Sequence, residues 1–388
     1  MNNHVKEALT VMLQARTEFP VLNECVYLNS NSAGAVPREV HNVLMAYSNT
    51  LFHWRDTVWE QWWYELHEYA DQLAQFIGAP KGSVFTDTNL STLLGRVGTC
   101  FNYRSPRTRV ITSDLEFPTV SFLWQNFRHY GAEMIIIPSQ DGCSIDEEAI
   151  CAAIDERTQL VCLAHATFAT GALTNIRRIA QYAHQMGALM IVDAYQSLGT
   201  VPIDVNELDA DFLLGGAHKW LCGSYESAFL YVRPELLSSL TPSATGWIAS
   251  ANPLSFSSAT EYASTARRFA SGTPAVLPSL ISRVGLEIIQ KIGMPAIRQV
   301  SLQRTQRIIQ WAEHKGLKVL TPTTPAHRAG IVSLRFPQDA EVANKLNERG
   351  FVCSYRNAIR IAPHFYNTDQ EIELFLDALG EIISEIRK

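Results

Sequence analysis

Met190-Ile191-Val192-Asp193-Ala194-Tyr195-Gln196 and Asp211-Phe212-Leu213-Leu214-Gly215-Gly216-Ala217-His218-Lys219-Trp220 decide how this chain is read. Each stretch carries a short, continuous apolar run, the pattern of a strand buried on both faces of a parallel sheet. Each run then gives way to residues with chemistry, at the carboxyl end of the strand, where open α/β sheets bind their ligands. The interval between Asp193 and Lys219 holds one helix or loop and one strand. A carboxylate and an amine are thereby expected at neighbouring strand ends.

The same alternation continues on either side. Apolar runs predict strands at 83–86, 109–113, 133–138, 159–166, 188–192, 211–214 and 227–232. Helical periodicity predicts helices at 90–101, 119–129, 146–154 and 176–186, the third opened by a capping box of Ser144 with Glu147. Strands joined by helical crossovers make this an α/β chain with a mostly parallel, seven-stranded sheet between helices. After about residue 241 the pattern changes to a polar stretch, one long helical segment at 279–313, and short strands near 317–320, 331–335 and 359–361. A last helix is capped by Thr368 and Glu371. The expected organisation is a large domain at 55–245, a smaller α+β domain from 20–54 and 275–388, an N-terminal helix at 1–19 and a connecting segment at 246–274.

Composition narrows the function classes. The 388 residues are 47% hydrophobic and 18% charged, ordinary for a globular chain with a large core. A net charge of −6 gives no electrostatic case for nucleic acid or an anionic membrane as partner. The first residues read as an amphipathic helix and not a signal peptide, so a cytoplasmic location is expected. The 7 cysteines are scattered, without a C-x-x-C, which argues against a disulfide framework or zinc ribbon. No G-x-G-x-x-G, P-loop or H-E-x-x-H occurs, and no metal site is expected.

The remaining strand ends complete a set. Asp87-Thr88-Asn89-Leu90-Ser91-Thr92 opens a helix, and Asp114-Leu115-Glu116-Phe117-Pro118-Thr119 follows the next strand. A helix N-terminus with hydroxyls binds phosphate through its free amides. An aromatic face covers a pyridine ring. A carboxylate keeps the pyridine nitrogen protonated, and a lysine forms an imine and moves protons. Pyridoxal phosphate (PLP) calls for this set. Taken singly, Asp193 reads as a turn residue, Lys219 as a solvated lysine, Phe117 as core and Thr88-Asn89 as a helix cap; their occurrence together in strand order favours the functional reading.

With these motifs the chain resembles the class V aminotransferase family of fold-type I PLP enzymes, which includes kynureninases, cysteine desulfurases, cysteine C–S lyases, selenocysteine lyases and isopenicillin N epimerases. Asp193-Ala194-Tyr195-Gln196 and Ala217-His218-Lys219-Trp220 carry the resemblance. Tyr27 to Gly34, Arg268 to Pro274 and Arg360 to Thr368 extend it over nearly the whole chain. It implies that Lys219 holds PLP as a Schiff base, Asp193 pairs with the ring nitrogen, Gln196 bonds the ring's phenolic oxygen and Phe117 stacks on the ring. It places Asn89, Leu90 and His218 at the phosphate, with Thr273 arriving from the second subunit of a homodimer. Arg360 is implied to pair with the substrate α-carboxylate, Asn31 and Ser32 to line the pocket and Trp247 to close it.

Departures within the family point further. Phe117-Pro118-Thr119 and the tryptophan-rich segment 54–63 are closer to kynureninases, whereas desulfurases place a histidine where Phe117 stands. Gly216 replaces a frequent serine, which removes one implied phosphate contact. Cys353, after Gly350-Phe351-Val352, reads as a structural cysteine and not the nucleophile a desulfurase needs. The expected activity is cleavage of an amino acid by a β-lyase or kynureninase-like route, after removal of its Cα proton. Transamination, epimerisation and a non-catalytic PLP-fold binding protein stand as alternatives.

Overall fold

The computed structural model describes residues 3–257 and 261–386. Its strands in chain order are β1 (Val26–Tyr27), β2 (Val84–Asp87), β3 (Arg109–Ser113), β4 (Glu133–Ile137), β5 (Thr158–Ala164), β6 (Leu189–Asp193), β7 (Phe212–Gly216), β8 (Ala228–Val232), β9 (Lys318–Val319), β10 (Val332–Arg335), β11 (Phe351–Val352), β12 (Ser354–Tyr355) and β13 (Ile359–Ile361). The large sheet has 7 strands in the order β2-β8-β7-β6-β5-β3-β4. β4, β3, β5, β6 and β7 run parallel, and β8 lies antiparallel between β7 and β2. The fold is thus the α/β, mostly parallel arrangement that the apolar runs imply.

Alternate residues of the central strands feed two different cores, which is why those strands carry no polar face. Val161, Leu163, Met190, Val192 and Leu213 join the core that includes Ile176, Ile179, Ala180 and Ala183 of the helix Ile176–Gln185. Leu160, Cys162, Ile191, Phe212 and Leu214 join the opposite core, with Leu90, Leu93, Leu94 and Val97 of the helix Leu90–Gly98. Each fully buried leucine or isoleucine contributes about 1.5–3 kcal/mol relative to exposure.

A second sheet, β12-β13-β10-β9, is antiparallel and packs on a third core that includes Leu28, Ile308, Phe375 and Leu379. β1 pairs in parallel with β11, and Asn29 bridges to Ala362. The N-terminal strap therefore lies against the C-terminal sheet before it reaches the large one. No helix among the described residues is long and apolar enough to cross a membrane.

Two local expectations are corrected. Ser144 and Glu147 form no capping box: Asp146 caps the helix Glu147–Ala153 by accepting from the Ala149 amide at 3.0 Å. Ser144 instead donates to Asp141 at 2.7 Å, and Glu147 accepts from the Asn175 amide, also at 2.7 Å. The long helical segment is two helices, Val276–Ile292 and Met294–His314, separated at Gly293. Gly293 has φ +88, which no helix residue adopts, and Pro295 follows in the first turn of the next helix. The last cap stands as read: the Thr368 amide donates to Glu371 at 2.7 Å and the Glu371 amide to the Thr368 hydroxyl at 3.2 Å.

Candidate active site

β2, β3, β5, β6 and β7 all point their carboxyl ends to one edge of the large sheet, and a cavity of about 320 Å³ opens there. Lys219 enters it just past β7. Its segment is held in place by the Gly34 amide, which donates to the His218 carbonyl at 2.7 Å. A β-carbon at Gly34 would overlap the Lys219 carbonyl oxygen, so only glycine lets the strap come this close. Burial pulls the Lys219 amine down to about 8; Asp193 opposes this and the Arg360 guanidinium adds to it. Near neutral pH a useful fraction of the amine is therefore an unprotonated nucleophile.

Asp193, at the end of β6, is buried and accepts from the Tyr195 amide at 2.8 Å. Burial pushes its carboxyl up, while the Tyr195 amide and Lys219 hold it down. Gln196 is fixed at both ends of its amide: Nε2 donates to the Asn31 carbonyl at 2.9 Å and Oε1 accepts from Trp220 Nε1 at 3.0 Å. One N–H of Nε2 is left to face the cavity.

The wall above β7 is built by Tyr195. Its hydroxyl lies 3.0 Å from His218 Nδ1, and its ring centroid lies 4.5 Å from Lys219 Nζ. Burial, with Lys219 adding to it, lowers His218 to about 4, so the imidazole is neutral. With the phenol as donor to Nδ1, the ring hydrogen sits on Nε2. His218 also stacks on Tyr225 at 4.8 Å and 21°. Gly216 follows from this packing: a β-carbon there would overlap the Tyr195 hydroxyl.

On the opposite side, Phe117 meets Phe168 edge-on at 5.4 Å and 87°, and Lys219 Nζ is 5.7 Å from the Phe117 centroid. Asn89 caps the helix Leu90–Gly98, accepting from the Thr92 amide at 2.9 Å, so its side chain is spent on the cap. The first-turn amides of that helix have no partner within it. Ser91 and Thr119 stand beside them, their hydroxyls 3.1 Å apart.

Arg360 reaches the cavity from β13. It is 3% exposed, and Nη1 donates to the Phe168 carbonyl at 2.8 Å. Its Nε is buried without a partner. Burial, with Arg356 adding to it, lowers this guanidinium to about 10, still charged at any ordinary pH. Asn31 and Ser32 line the same end, and Asn31 Nδ2 donates to Ser354 at 3.1 Å.

Of the residues expected from sequence, Lys219, Asp193, Gln196, Phe117, His218, Asn89, Leu90, Arg360, Asn31 and Ser32 all line this cavity. Trp247 and Thr273 do not. Within one chain Trp247 stacks on Phe256, ring centroids 5.5 Å apart, and Thr273 is exposed on the surface. Tyr195, Phe168, Ser91, Thr119 and Arg356 line the cavity without an expected role. Phe168 was within reach of the sequence: it lies just past the run 159–166, a strand end of the same kind as the others. None of the cysteines lines the cavity; Cys353 is buried and its thiol is pushed up to about 12 by burial.

The arrangement fits pyridoxal phosphate on its own terms. A depressed amine, a buried carboxylate, a spare amide N–H, aromatic faces and a helix N-terminus surround one cavity, and the unpartnered Arg360 Nε adds an unused cationic donor. This is the site of a fold-type I PLP-dependent enzyme.

The chain belongs to the family described as Aminotransferase class-V, whose profile matches residues 26–375. It is 33% identical over 369 residues to the uncharacterized aminotransferase YcbU of Bacillus subtilis (strain 168), covering 95% of this chain and 97% of that protein. It is 29% identical over 390 residues to the kynureninase of Pseudomonas fluorescens, covering 95% and 91%. Among solved structures it resembles the apo cysteine desulfurase of Thermococcus onnurineus NA1, with TM-score 0.85 and 22% identity over 96% of this chain and 98% of that one. A lysine-to-alanine mutant of C-DES, with glycine covalently linked to its PLP cofactor, gives TM-score 0.87 and 20% identity over 94% and 99%.

Proposed function

We propose that the protein is a PLP-dependent lyase that breaks a bond at Cβ of an amino acid. The aromatic wall of Phe117 and Phe168 beside Lys219 carries this reading. The kynureninase relatives support it, and so does the cavity lining, which contains no cysteine thiol to take up sulfur. When bound, PLP supplies an electron sink for the bond broken at Cα or Cβ.

The chain's own residues would divide the work. Lys219 would carry the cofactor, take the Cα proton and return it. Asp193 would keep the ring nitrogen protonated, and the spare N–H of Gln196 would bond the phenolic oxygen. Phe117 and Tyr195 would hold the ring between them. The amides after Asn89, the hydroxyls of Ser91 and Thr119, and His218 Nε2 would hold the phosphate. Arg360 would grip the α-carboxylate, orienting the Cα–H bond toward Lys219. Phe168 would keep water from Cα beside Lys219.

The test is product analysis with a panel of amino acids, in the presence and absence of keto acids. Release of a Cβ fragment with no keto acid requirement supports the lyase. Activity that depends on a keto acid supports transamination, the reading that likeness to YcbU favours. Exchange of deuterium into Cα without consumption of the amino acid would mark an epimerase, and absence of any turnover a binding protein.

The same reading includes a cytoplasmic homodimer with Thr273 contributed across the interface. The exposed rings of Trp247 and Phe256 on the neighbouring segment support a covered surface there. The proposed division is a large domain at 55–245 and a small one from 20–54 and 275–388, with the N-terminal helix at 1–19 and the connection at 246–274. Light scattering of the purified protein reads the subunit number directly.

A further inference from the structure

The cavity holds two guanidinium groups and only one carboxylate, Asp193, which the cofactor nitrogen would occupy. Arg360 and Arg356 come from the same hairpin. β12 and β13 pair Ser354 with Arg360 and Tyr355 with Ile359, and the turn is closed by the Arg356 amide donating to the Ala358 carbonyl at 3.0 Å. Ser354 and Arg360, paired across the hairpin, fall on one face, and Arg356 in the turn between them lines the same cavity as Arg360. The turn is pinned from outside: Arg335 Nε and Nη2 donate to the Asn357 carbonyl at 2.9 and 2.7 Å. Asn357 takes the left-handed conformation that so tight a turn requires, with φ 55.

Arg356 is therefore fixed at its backbone, and its head is exposed. Its guanidinium donates to the adjacent Tyr355 carbonyl at 2.7 Å, and no ion pair with a carboxylate is formed by either arginine among the described residues. Arg356 also acts as a like charge on Arg360. Two cations at one cavity, neither paired with a carboxylate among the described residues, suit a ligand with two negative groups.

We infer that the substrate carries a second anionic group on its side chain, and that Arg356 is the residue that selects it. The substrate class is an α-amino acid with a carboxylate or sulfinate beyond Cβ, its α-carboxylate on Arg360 and its distal anion on Arg356. Arg356 sits at the exposed mouth, so the distal group stays near solvent while Cα lies beside Lys219. This rests on reading the cavity as an amino-acid site.

The test uses the PLP-loaded enzyme with two unreactive probes, succinate and butyrate, titrated by tryptophan fluorescence and by the shift of the cofactor absorbance band. Succinate should bind at least about tenfold more tightly than butyrate. Arg356→Gln should remove that preference and leave butyrate affinity within about twofold, while Arg356→Lys retains part of it. With L-aspartate and L-cysteine sulfinate as substrates, Arg356→Gln should raise KM and leave kcat nearly unchanged. Equal binding of the two probes, or a succinate preference that survives Arg356→Gln, overturns the inference. Binding is read without turnover, so a succinate preference with no Cβ cleavage would sink the lyase reading alone. Cleavage of a neutral amino acid with no succinate preference would sink this inference alone.

Discussion

The Tyr195 hydroxyl occupies the space that a side chain at Gly216 would need, and from there it reaches His218 Nδ1 at 3.0 Å. Residue 216 carries no side chain, and Tyr195 fills that space from the neighbouring strand end. Introducing serine at Gly216 should therefore harm the site. The overpacking costs about 1–3 kcal/mol. Thermal melting and PLP titration should show both stability and cofactor affinity falling in Gly216→Ser. Adding Tyr195→Ala to that variant should recover part of the stability but not the cofactor affinity, because the bond to His218 goes with the ring. If Gly216→Ser bound PLP as well as the parent does, the packing argument would be wrong.

Capture of PLP by the stripped enzyme should depend on pH through Lys219. Burial holds this amine at about 8, so it is mostly protonated below that value and neutral above it. The rate of growth of the Schiff-base band should rise with pH and level off above about 8. Asp193 raises the lysine's pKa, so Asp193→Asn should move the midpoint to lower pH. Stopped-flow absorbance at a series of pH values measures both. Lys219→Ala should show no such band at any pH.

Cys353→Ala should leave turnover within about twofold, because the thiol is buried among apolar side chains and is far from ionised at neutral pH. The expected penalty is stability, about 1 kcal/mol, from the small cavity left beside Asn347. A steady-state assay and a urea melt separate the two effects. Loss of all activity with a normal melt would restore a nucleophilic role.

Arg360→Lys should leave the cofactor band intact and raise KM by roughly a hundredfold, with a smaller change in kcat. The lysine keeps a charge but loses the planar pair of donors of which Nε now has no partner. Kinetics across the amino-acid panel check it. An unchanged KM would show that the α-carboxylate binds elsewhere.

The part of the cavity lining that the large sheet supplies was legible from sequence because its residues follow apolar runs at strand ends. β3 and β13 match their runs residue for residue, and the other strands of the large sheet shift by a residue or two at one or both ends. What escaped has physical causes. Asp146 outcompetes Ser144 as a cap because Asp141 already engages the Ser144 hydroxyl. Gly293 ends one helix through a backbone angle that hydrophobic periodicity does not encode. Tyr195 gained its place only through Gly216, a contact between two strand ends. Arg356 faces the cavity only because the β12–β13 turn is folded back by Arg335, which no local pattern announces.

The strap through Asn31 has a consequence for how the molecule comes into being. Its partner Ser354 lies 323 positions further along the chain, and Ser30 meets Tyr366 across 336. A ribosome finishes β2 through β8, with Lys219 and Asp193 in place, well before it makes the residues that β1 and Asn31 must pair with. The cavity wall built by the large sheet can assemble during synthesis, whereas Arg360 waits for the last stretch of chain. Closure of so long a loop is slow. A chain truncated before β11 would retain Lys219 and Asp193 but lack Arg360 and the strand that fixes Asn31.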